Sequence, residues 1–405
     1  MSTRLDPAKH PWMRAPETRA VMDALTDKGG EARFVGGAVR NALLGEKVTD
    51  VDIATPLTPE DVTKRLVAAG LQAVPTGIEH GTVTAVAGGK PFEVTTLRRD
   101  VSTDGRRAVV AFTKDWTEDA ARRDFTMNAL YASAGGDVFD LTGGIEDLKA
   151  GRVRFVGDPV TRIREDYLRI LRLFRFHAWY GRGAIDKAAL AAATAEKAGL
   201  KKLSGERVQK ELLKLLAARD PMPVLGEMEK AGLLSEILPG PLSLTRLQGL
   251  VKLDADEKAR ADALLRLAAL LGEGTGSTLA EKLKLSNIER ERLIALKGPA
   301  GLSPDLTPQK ARACLYRRGL AWFSDSVRLL WATDAKHAAQ WRALLQLAEK
   351  WQRPKFPLDG RDAMAAGIKE GPAVGKILGE LEQWWIENDF KPDRAALLAR
   401  LRGSA

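Results

Sequence analysis

Residues 34–55 read FVGGAVRNALLGEKVTDVDIAT. Apolar residues leading into the Gly36-Gly37 pair predict a strand that runs into a turn. AVRNALLG predicts a short helix stopped by Gly45. VTDVDIAT predicts a second strand. Side chains at i and i+2 of a strand share a face, so Asp50 and Asp52 would stand side by side, roughly 7 Å apart. Val51 and Ile53 would then point into a core. Two neighbouring carboxylates repel unless a cation lies between them. Hard oxygen ligands of this kind suit Mg²⁺, which binds one or two carboxylates together with substrate phosphates. A glycine turn at a strand-to-helix junction lets backbone N–H groups approach a triphosphate. Arg40, one turn into the helix, can reach the same phosphates. An ordinary βα turn beside a solvated strand edge would also use these residues. Turn, arginine and D-x-D in this order form a more specific composite, and they point to metal-dependent nucleotidyl transfer.

The surrounding sequence supplies a small α/β frame. LTPEDVTKRLVAAG predicts a helix with Thr58 as N-cap and Pro59 at its first position. TVTAVAGGKPFEVTTLR predicts two strands joined at Gly88-Gly89, and Glu93 in the second is a candidate third carboxylate. Residues 98–118 are polar and turn-rich, and a mobile loop is expected there. From about residue 160 helical periodicity dominates, with breaks at Pro221, Pro239, Pro299 and Pro354. The expected architecture is a small mixed head followed by a long all-α region.

Bulk properties narrow the partners. The chain has 405 residues, with 63 Lys+Arg against 53 Asp+Glu, for a net charge of +10. That balance favours a polyanion. Cys314 is the only cysteine, which excludes an intrachain disulfide and a cysteine-rich zinc site. The first residues lack the apolar core of a signal peptide, and no apolar run is long enough to suggest a membrane span. A cytoplasmic location is expected.

Two further constellations carry chemistry. In RRDFTMNAL (122–130), Arg123 could contact a triphosphate with Asp124 orienting it. On spacing alone, a charged helix start capped by Asp124, with Phe125, Met127 and Leu130 in the core, is an equal reading. In EDYLRILRLFRF (165–176), Asp166 and Arg169 are predicted one turn apart on one helix. Arg172 and Arg175 continue the series among apolar residues. A helix apolar nearly all round is buried, so these arginines need partners. A structural Asp–Arg network is one possibility; base reading is the other. A carboxylate only accepts hydrogen bonds and a guanidinium only donates them. Cytosine and adenine each offer an amino donor beside a ring acceptor, whereas uracil and guanine offer the reverse. One Asp–Arg pair can therefore accept C and A and reject U and G.

Together these motifs resemble the class II tRNA nucleotidyltransferase and poly(A) polymerase family. FVGGAVRNALLG with DVDIAT is similar to its glycine and D-x-D motif, RRDFTMNAL to its ribose- and phosphate-binding motif, and EDYLRILRLFRF to its base-selecting helix. GERVQKELLKLL (205–216) resembles the neck helix that follows, and LDGRDAMAAGIKEGPAVGKIL (358–378) the tail. The resemblance implies an α+β protein: a polymerase-β-like head (1–150), a helical neck (151–220), and an all-α body and tail (221–405). It implies that Asp50 and Asp52 hold Mg²⁺. It implies that Gly37, Arg40, Arg123, Asp166, Arg169, Arg172 and Arg175 bind incoming CTP or ATP, and that the acceptor is the 3′ end of tRNA, extended by CCA addition. Poly(A) addition, CC-only or A-only addition, and an inactive RNA-binding module are the alternatives.

Some residues depart from the family pattern. Asn41 stands where an aspartate commonly follows the arginine. No His-Asp dipeptide occurs, so the metal phosphohydrolase domain of some members is absent. GIEHGTVTAV replaces the basic stretch of many poly(A) polymerases, and the presence of the 98–118 segment favours addition of A as well as C. GPAVGK (371–376) has the wrong spacing for a phosphate loop and reads as a turn leading into a helix. The tryptophans from Trp322 to Trp385 read as core, and the basic residues between them as a solvated face.

Overall fold

In the computed structural model, which describes residues 3–104 and 107–404, strand β1 (Arg33–Val35) runs into the helix Gly37–Leu44. Gly45 ends that helix in the left-handed conformation, at φ 71°. Strand β2 spans only Asp52–Thr55. Asp50 and Val51 therefore lie just ahead of the strand, which is shorter than the sequence suggests. Ile53, Ala54 and Thr55 are all buried. A strand covered on both faces loses the alternation of a half-buried one, and the D-x-D motif survives only at its mouth.

The helix Pro59–Ala68 begins as expected: Asp61 N–H donates to the Thr58 hydroxyl at 3.2 Å, and Pro59 takes the first position. Strands β3 (Gln72–Gly77), β4 (Thr82–Ala87) and β5 (Lys90–Thr96) follow. Ala87 pairs with Lys90, so Gly88 and Gly89 form a two-residue hairpin turn. Both have positive φ, 55° and 76°, which is why glycine stands at each.

Residues 98–118 differ from the expected loop. Strands β6 (Arg98–Asp104) and β7 (Arg107–Phe112) pair as an antiparallel ribbon. The helix Trp116–Ala121 follows. Residues 105–106 of the segment lie outside the described residues. The cross-strand ladder gives the polar backbone partners that a loop would take from water.

Strands β8 (Leu130–Ala132) and β9 (Val138–Asp140) complete a seven-stranded sheet, ordered β3-β4-β5-β2-β1-β8-β9. β2 and β5 are parallel, and the other neighbours are antiparallel. This order aligns Val35 with Asp52 on one side of β2, and Glu93 with Asp52 on the other.

The chain divides into two compact units, Met1–Leu238 and Pro239–Ala405. In the first, the sheet is followed by helices Pro159–Glu165, Leu168–Tyr180 and Gly205–Leu216, among others. EDYLRILRLFRF is not one helix. Asp166 has extended backbone, at φ −156° and ψ 106°, and breaks the chain between two helices. Beyond the break, Ile170, Leu171, Leu173, Phe174 and Phe176 are buried, as the apolar pattern requires.

The second unit is helical. Its core includes Leu381, Trp385, Ile386, Leu397 and Leu401, with Trp351 and Trp384 packed against them. Trp331 and Trp341 are also buried. GPAVGK is the start of the helix Pro372–Glu387, with Gly371 ahead of it at φ 133°. Among the described residues, no helix is long and apolar enough to cross a membrane.

Candidate active site

The carboxylates gather at the mouth of β2. Asp52 is its first residue, Asp50 precedes it, and Glu93 faces Asp52 from β5. None of the three makes an ion pair among the described residues. Burial pushes the Asp52 carboxyl up to about 6; Glu93 and Asp50 push the same way, and Arg123 opposes them. The donors are hard oxygens with unbalanced negative charge, which fits Mg²⁺. Among the described residues no group of three or more His, Cys, Asp or Glu converges as a metal cage. The carboxylates could supply only part of a coordination shell, and substrate phosphates and water would have to supply the rest. A cleft of about 500 Å³ opens beside the carboxylates, walled by Trp12, Thr18, Lys90 and Phe92. Trp12, in the N-terminal segment, carried no site signal in the sequence.

On the β1 side of Asp52 lie the cations. Gly36 holds the turn at φ 67° and ψ −118°, a conformation that side chains strain to reach. Gly37 is different. Its φ is not positive, and a Cβ there would meet only the Arg40 guanidinium, at 3.7 Å. No contact at position 37 requires glycine. Gly36→Ala is therefore expected to destabilise the fold by about 1 kcal/mol or more. Gly37→Ala should leave the melting temperature nearly unchanged and raise the KM for CTP. Melting curves and KM measured on both variants check the contrast; equal melting losses would contradict it.

Arg40 is buried. It donates to Asn128 Oδ1 at 2.5 Å, to Asn41 Oδ1 at 2.9 and 3.1 Å, and to Tyr180 Oη at 3.0 Å. Its guanidinium also lies 4.2 Å from the Tyr180 ring centroid. All these acceptors are neutral. Burial lowers the Arg40 pKa, chiefly by desolvation, and no carboxylate touches the charge. A phosphate would supply the missing anion. Asn41 thus accepts from Arg40 without neutralising it, as an aspartate there would.

Arg123 is oriented by Asp119, not by Asp124. Its Nε and Nη2 donate to Asp119 Oδ2 at 3.2 and 2.9 Å, and Nε also reaches Tyr131 Oη at 3.1 Å. Asp119 is 1% exposed. It also accepts from Arg122 Nε at 2.8 Å and from Tyr131 Oη at 2.7 Å. Burial alone would raise the Asp119 carboxyl; the Arg123 and Arg122 guanidiniums outweigh it and hold the group at about 2. Sequence reasoning missed Asp119, although an acid three and four residues before two arginines is a legible helical pair.

Asp124 instead bonds Arg172, the amide of Asn128 at 3.0 Å and its neighbour Phe125 N at 2.8 Å. Glu211, on the helix Gly205–Leu216, pairs with Arg175 and lies 3.6 Å from Arg172. Arg169 pairs with Glu165 and donates to the carbonyls of Arg162 at 2.8 Å and Arg122 at 3.2 Å. Asp166 accepts from Arg207 at 2.7 Å and from Leu168 N at 3.1 Å. Asp166 and Arg169 are not bonded side chain to side chain. They remain one turn apart, since Arg169 N donates to Asp166 O at 3.0 Å.

The structure thus joins the three sequence constellations. Arg169 grips the carbonyl beside Arg123, and Arg172 grips Asp124. Asn128 links Asp124 to Arg40. Glu165, Arg207 and Glu211 were not foreseen. Glu211 carried a signal: it shares the buried helix face of Val208, Leu212 and Leu215, where a lone carboxylate needs a cation.

Family models describe the same regions. Residues 32–154 match the poly A polymerase head domain, and residues 184–243 match a probable RNA- and SrmB-binding site of polymerase A. The chain is 34% identical over 409 residues to the CCA tRNA nucleotidyltransferase 1, mitochondrial, of Homo sapiens, covering 95% of this chain and 89% of the relative. It is 34% identical over 390 residues to the CCA-adding enzyme of Levilactobacillus brevis, covering 94% and 96%. The crystal structure of the Bacillus stearothermophilus CCA-adding enzyme in complex with CTP superposes with a TM-score of 0.77 at 29% identity, covering 96% of both chains.

Proposed function

This chain belongs to the tRNA nucleotidyltransferase and poly(A) polymerase family, and we propose that it adds CMP and AMP, from CTP and ATP, to the 3′ end of tRNA to complete the CCA terminus. One observation carries the reading of the site: Arg123, whose charge acts on Asp52, is flanked by the Arg122 carbonyl, which Arg169 holds, and the Asp124 carboxylate, which Arg172 holds. Through these contacts the phosphate-binding segment is tied to the helix that carries Arg169 and Arg172.

The RNA 3′-hydroxyl attacks the α-phosphate and pyrophosphate leaves. Asp50 and Asp52, with Glu93 beside them, would hold Mg²⁺. When bound, the ion activates the hydroxyl and stabilises charge on the leaving pyrophosphate. Arg40 and Arg123 take the triphosphate oxygens, and the backbone at Gly36-Gly37 closes on them. Arg172 and Arg175 hold the base-reading helix against Asp124 and Glu211, and through it the nucleotide.

Asp166 accepts the amino group of C or A. Each carboxylate oxygen can accept more than one hydrogen bond, so the Arg207 contact leaves capacity for the base. Arg169 donates to cytosine N3 or adenine N1; among the described residues, its Nε–H has no protein acceptor. The β6–β7 ribbon stands where the segment favouring A addition was expected. We divide the chain functionally into a catalytic head (1–150), a base-selecting neck (151–220) and a tRNA-binding body and tail (221–405), and place the activity in the cytoplasm.

Single-nucleotide incorporation of all four NTPs tests the base-reading pair. Asp166→Ala and Arg169→Ala each lose a hydrogen bond to a charged group, about 1.5–3 kcal/mol. CTP and ATP use should fall together, by roughly tenfold or more, and rejection of UTP and GTP should relax. Arg207→Ala should show a weaker form of the same change, because it frees Asp166. Opposite responses of C and A, or unchanged rejection of UTP in both of the first two variants, would make the pair structural.

A further inference from the structure

Tyr180 is the last residue of the helix Leu168–Tyr180, three turns beyond Arg169. Arg40 Nη2 donates to its hydroxyl at 3.0 Å, across 140 positions of sequence, and the Arg40 guanidinium carbon lies 4.2 Å from its ring centroid. A guanidinium has five N–H donors. Asn41, Asn128 and Tyr180 take all but one of them; among the described residues the second N–H of Nη1 has no protein acceptor. The two asparagines hold edges of the group. Tyr180 holds an edge and also meets a face. Phe176, one turn earlier, adds a second ring, 5.8 Å from that of Tyr180 and 5.2 Å from the Arg40 carbon.

Charge around these rings is compensated unevenly. Arg172 and Arg175 also lie against Phe176, at 5.3 and 4.1 Å. Both pair with carboxylates, Asp124 and Glu211. Arg40 makes no ion pair among the described residues. Burial acts most strongly against its charge, Arg175 adds to that, and Tyr180 is the largest influence in its favour, ahead of Asp124. Packing alone would be served as well or better by an acidic partner, because a buried charge is ordinarily neutralised. A hydroxyl fixes the guanidinium and leaves its charge for a ligand. The hydrogen of that hydroxyl has no protein acceptor among the described residues, so it too is available to an anion.

We propose that Tyr180 positions Arg40 for the triphosphate of the incoming nucleotide, so that the last turn of the base-reading helix belongs to the phosphate site. The helix then steadies both phosphate-binding arginines. Near its start Arg169 grips the carbonyl beside Arg123 at 3.2 Å, and at its end Tyr180 orients Arg40. The proposal rests on Arg40 being a triphosphate ligand.

Binding of CTP and of CMP to the full chain, measured with Mg²⁺ present, tests it. Tyr180→Phe keeps the ring and loses the hydroxyl; CTP affinity should fall roughly three- to tenfold. Tyr180→Leu loses both, and the fall should be roughly tenfold or more. CMP affinity should stay at the wild-type value in both variants, because CMP lacks the pyrophosphate portion. Rejection of UTP should also hold, because Asp166 and Arg169 keep their contacts. In an Arg40→Ala background, Tyr180→Phe should weaken CTP no further. Equal losses for CTP and CMP would make Tyr180 a packing residue of the helix. Unchanged CTP affinity in both variants, relaxed rejection of UTP, or a further loss in the Arg40→Ala background would equally overturn the proposal. Failure of the Arg40 reading is distinguishable: Arg40→Ala would then keep the wild-type preference for CTP over CMP. Failure of Tyr180 alone leaves that preference dependent on Arg40.

Discussion

Asp52→Asn is expected to abolish nucleotide addition while raising the melting temperature of the metal-free protein. The activity loss follows from the role of the pair: the bound ion would stabilise charge that develops only in the transition state, so kcat should fall by roughly 10³-fold or more. Asp50→Asn should show the same loss, with tRNA binding nearly intact in both. The stability gain follows from geometry. Burial desolvates Asp52, and the charges of Glu93 and Asp50 add to this against Arg123, which lifts its carboxyl from the ordinary 3.8 to about 6. A carboxyl raised on folding costs nothing below pH ~4, where both states are protonated. The cost grows as pH rises from there, and is complete above about 6. The asparagine variant should therefore match wild type near pH 4 and exceed it at pH 7. With allowance for solvent screening the gain is about 1 kcal/mol, or about 2–4 °C in Tm. Melting curves in chelator across this range check it. Near-normal turnover by Asp50→Asn and Asp52→Asn would refute the catalytic assignment; a lower Tm for Asp52→Asn at pH 7 would refute the electrostatic account.

Asp119→Ala should be the most damaging single truncation in the head. It leaves the half-buried charges of Arg122 and Arg123 and the buried hydroxyl of Tyr131 without their shared acceptor. Removing one partner of a buried ion pair costs about 3–5 kcal/mol. The sign with pH is opposite to that of Asp52. The Asp119 carboxyl is depressed to about 2, so its stabilisation is full above the ordinary carboxylate range and is lost as pH falls from ~4 toward ~2. Denaturant unfolding at pH 7 measures the loss. Any folded fraction should also bind CTP poorly, because Arg123 is no longer held. A loss below about 1 kcal/mol would place Asp119 among ordinary surface pairs.

What the sequence made legible was local. The Gly36-Gly37 turn, the stop at Gly45, the Thr58 cap and the Gly88-Gly89 hairpin each depend on residues within one turn or one strand pair. The α+β order, head first and helices after, followed from where periodicity changes. What stayed hidden was pairing at a distance. Arg172 and Asp124 are 48 positions apart, Arg175 and Glu211 are 36, and Asp166 and Arg207 are 41. No spacing rule connects them. Asp124 was given to Arg123 because it is adjacent, but adjacency on a chain does not bring two side chains together. The third carboxylate was named, yet its place beside Asp52 depends on β2 and β5 being parallel neighbours, with two intervening strands between them in sequence. The break at Asp166 was missed because the apolar pattern runs through it unbroken.

The most direct measurement is to incubate the protein with tRNA lacking its terminal CCA, supply CTP, ATP, UTP and GTP singly and together, and sequence the product ends. CTP alone should give two added cytidines, CTP with ATP should give CCA and stop, and UTP and GTP should add nothing. A run of adenosines, or no extension of tRNA under any mixture, would contradict the reading.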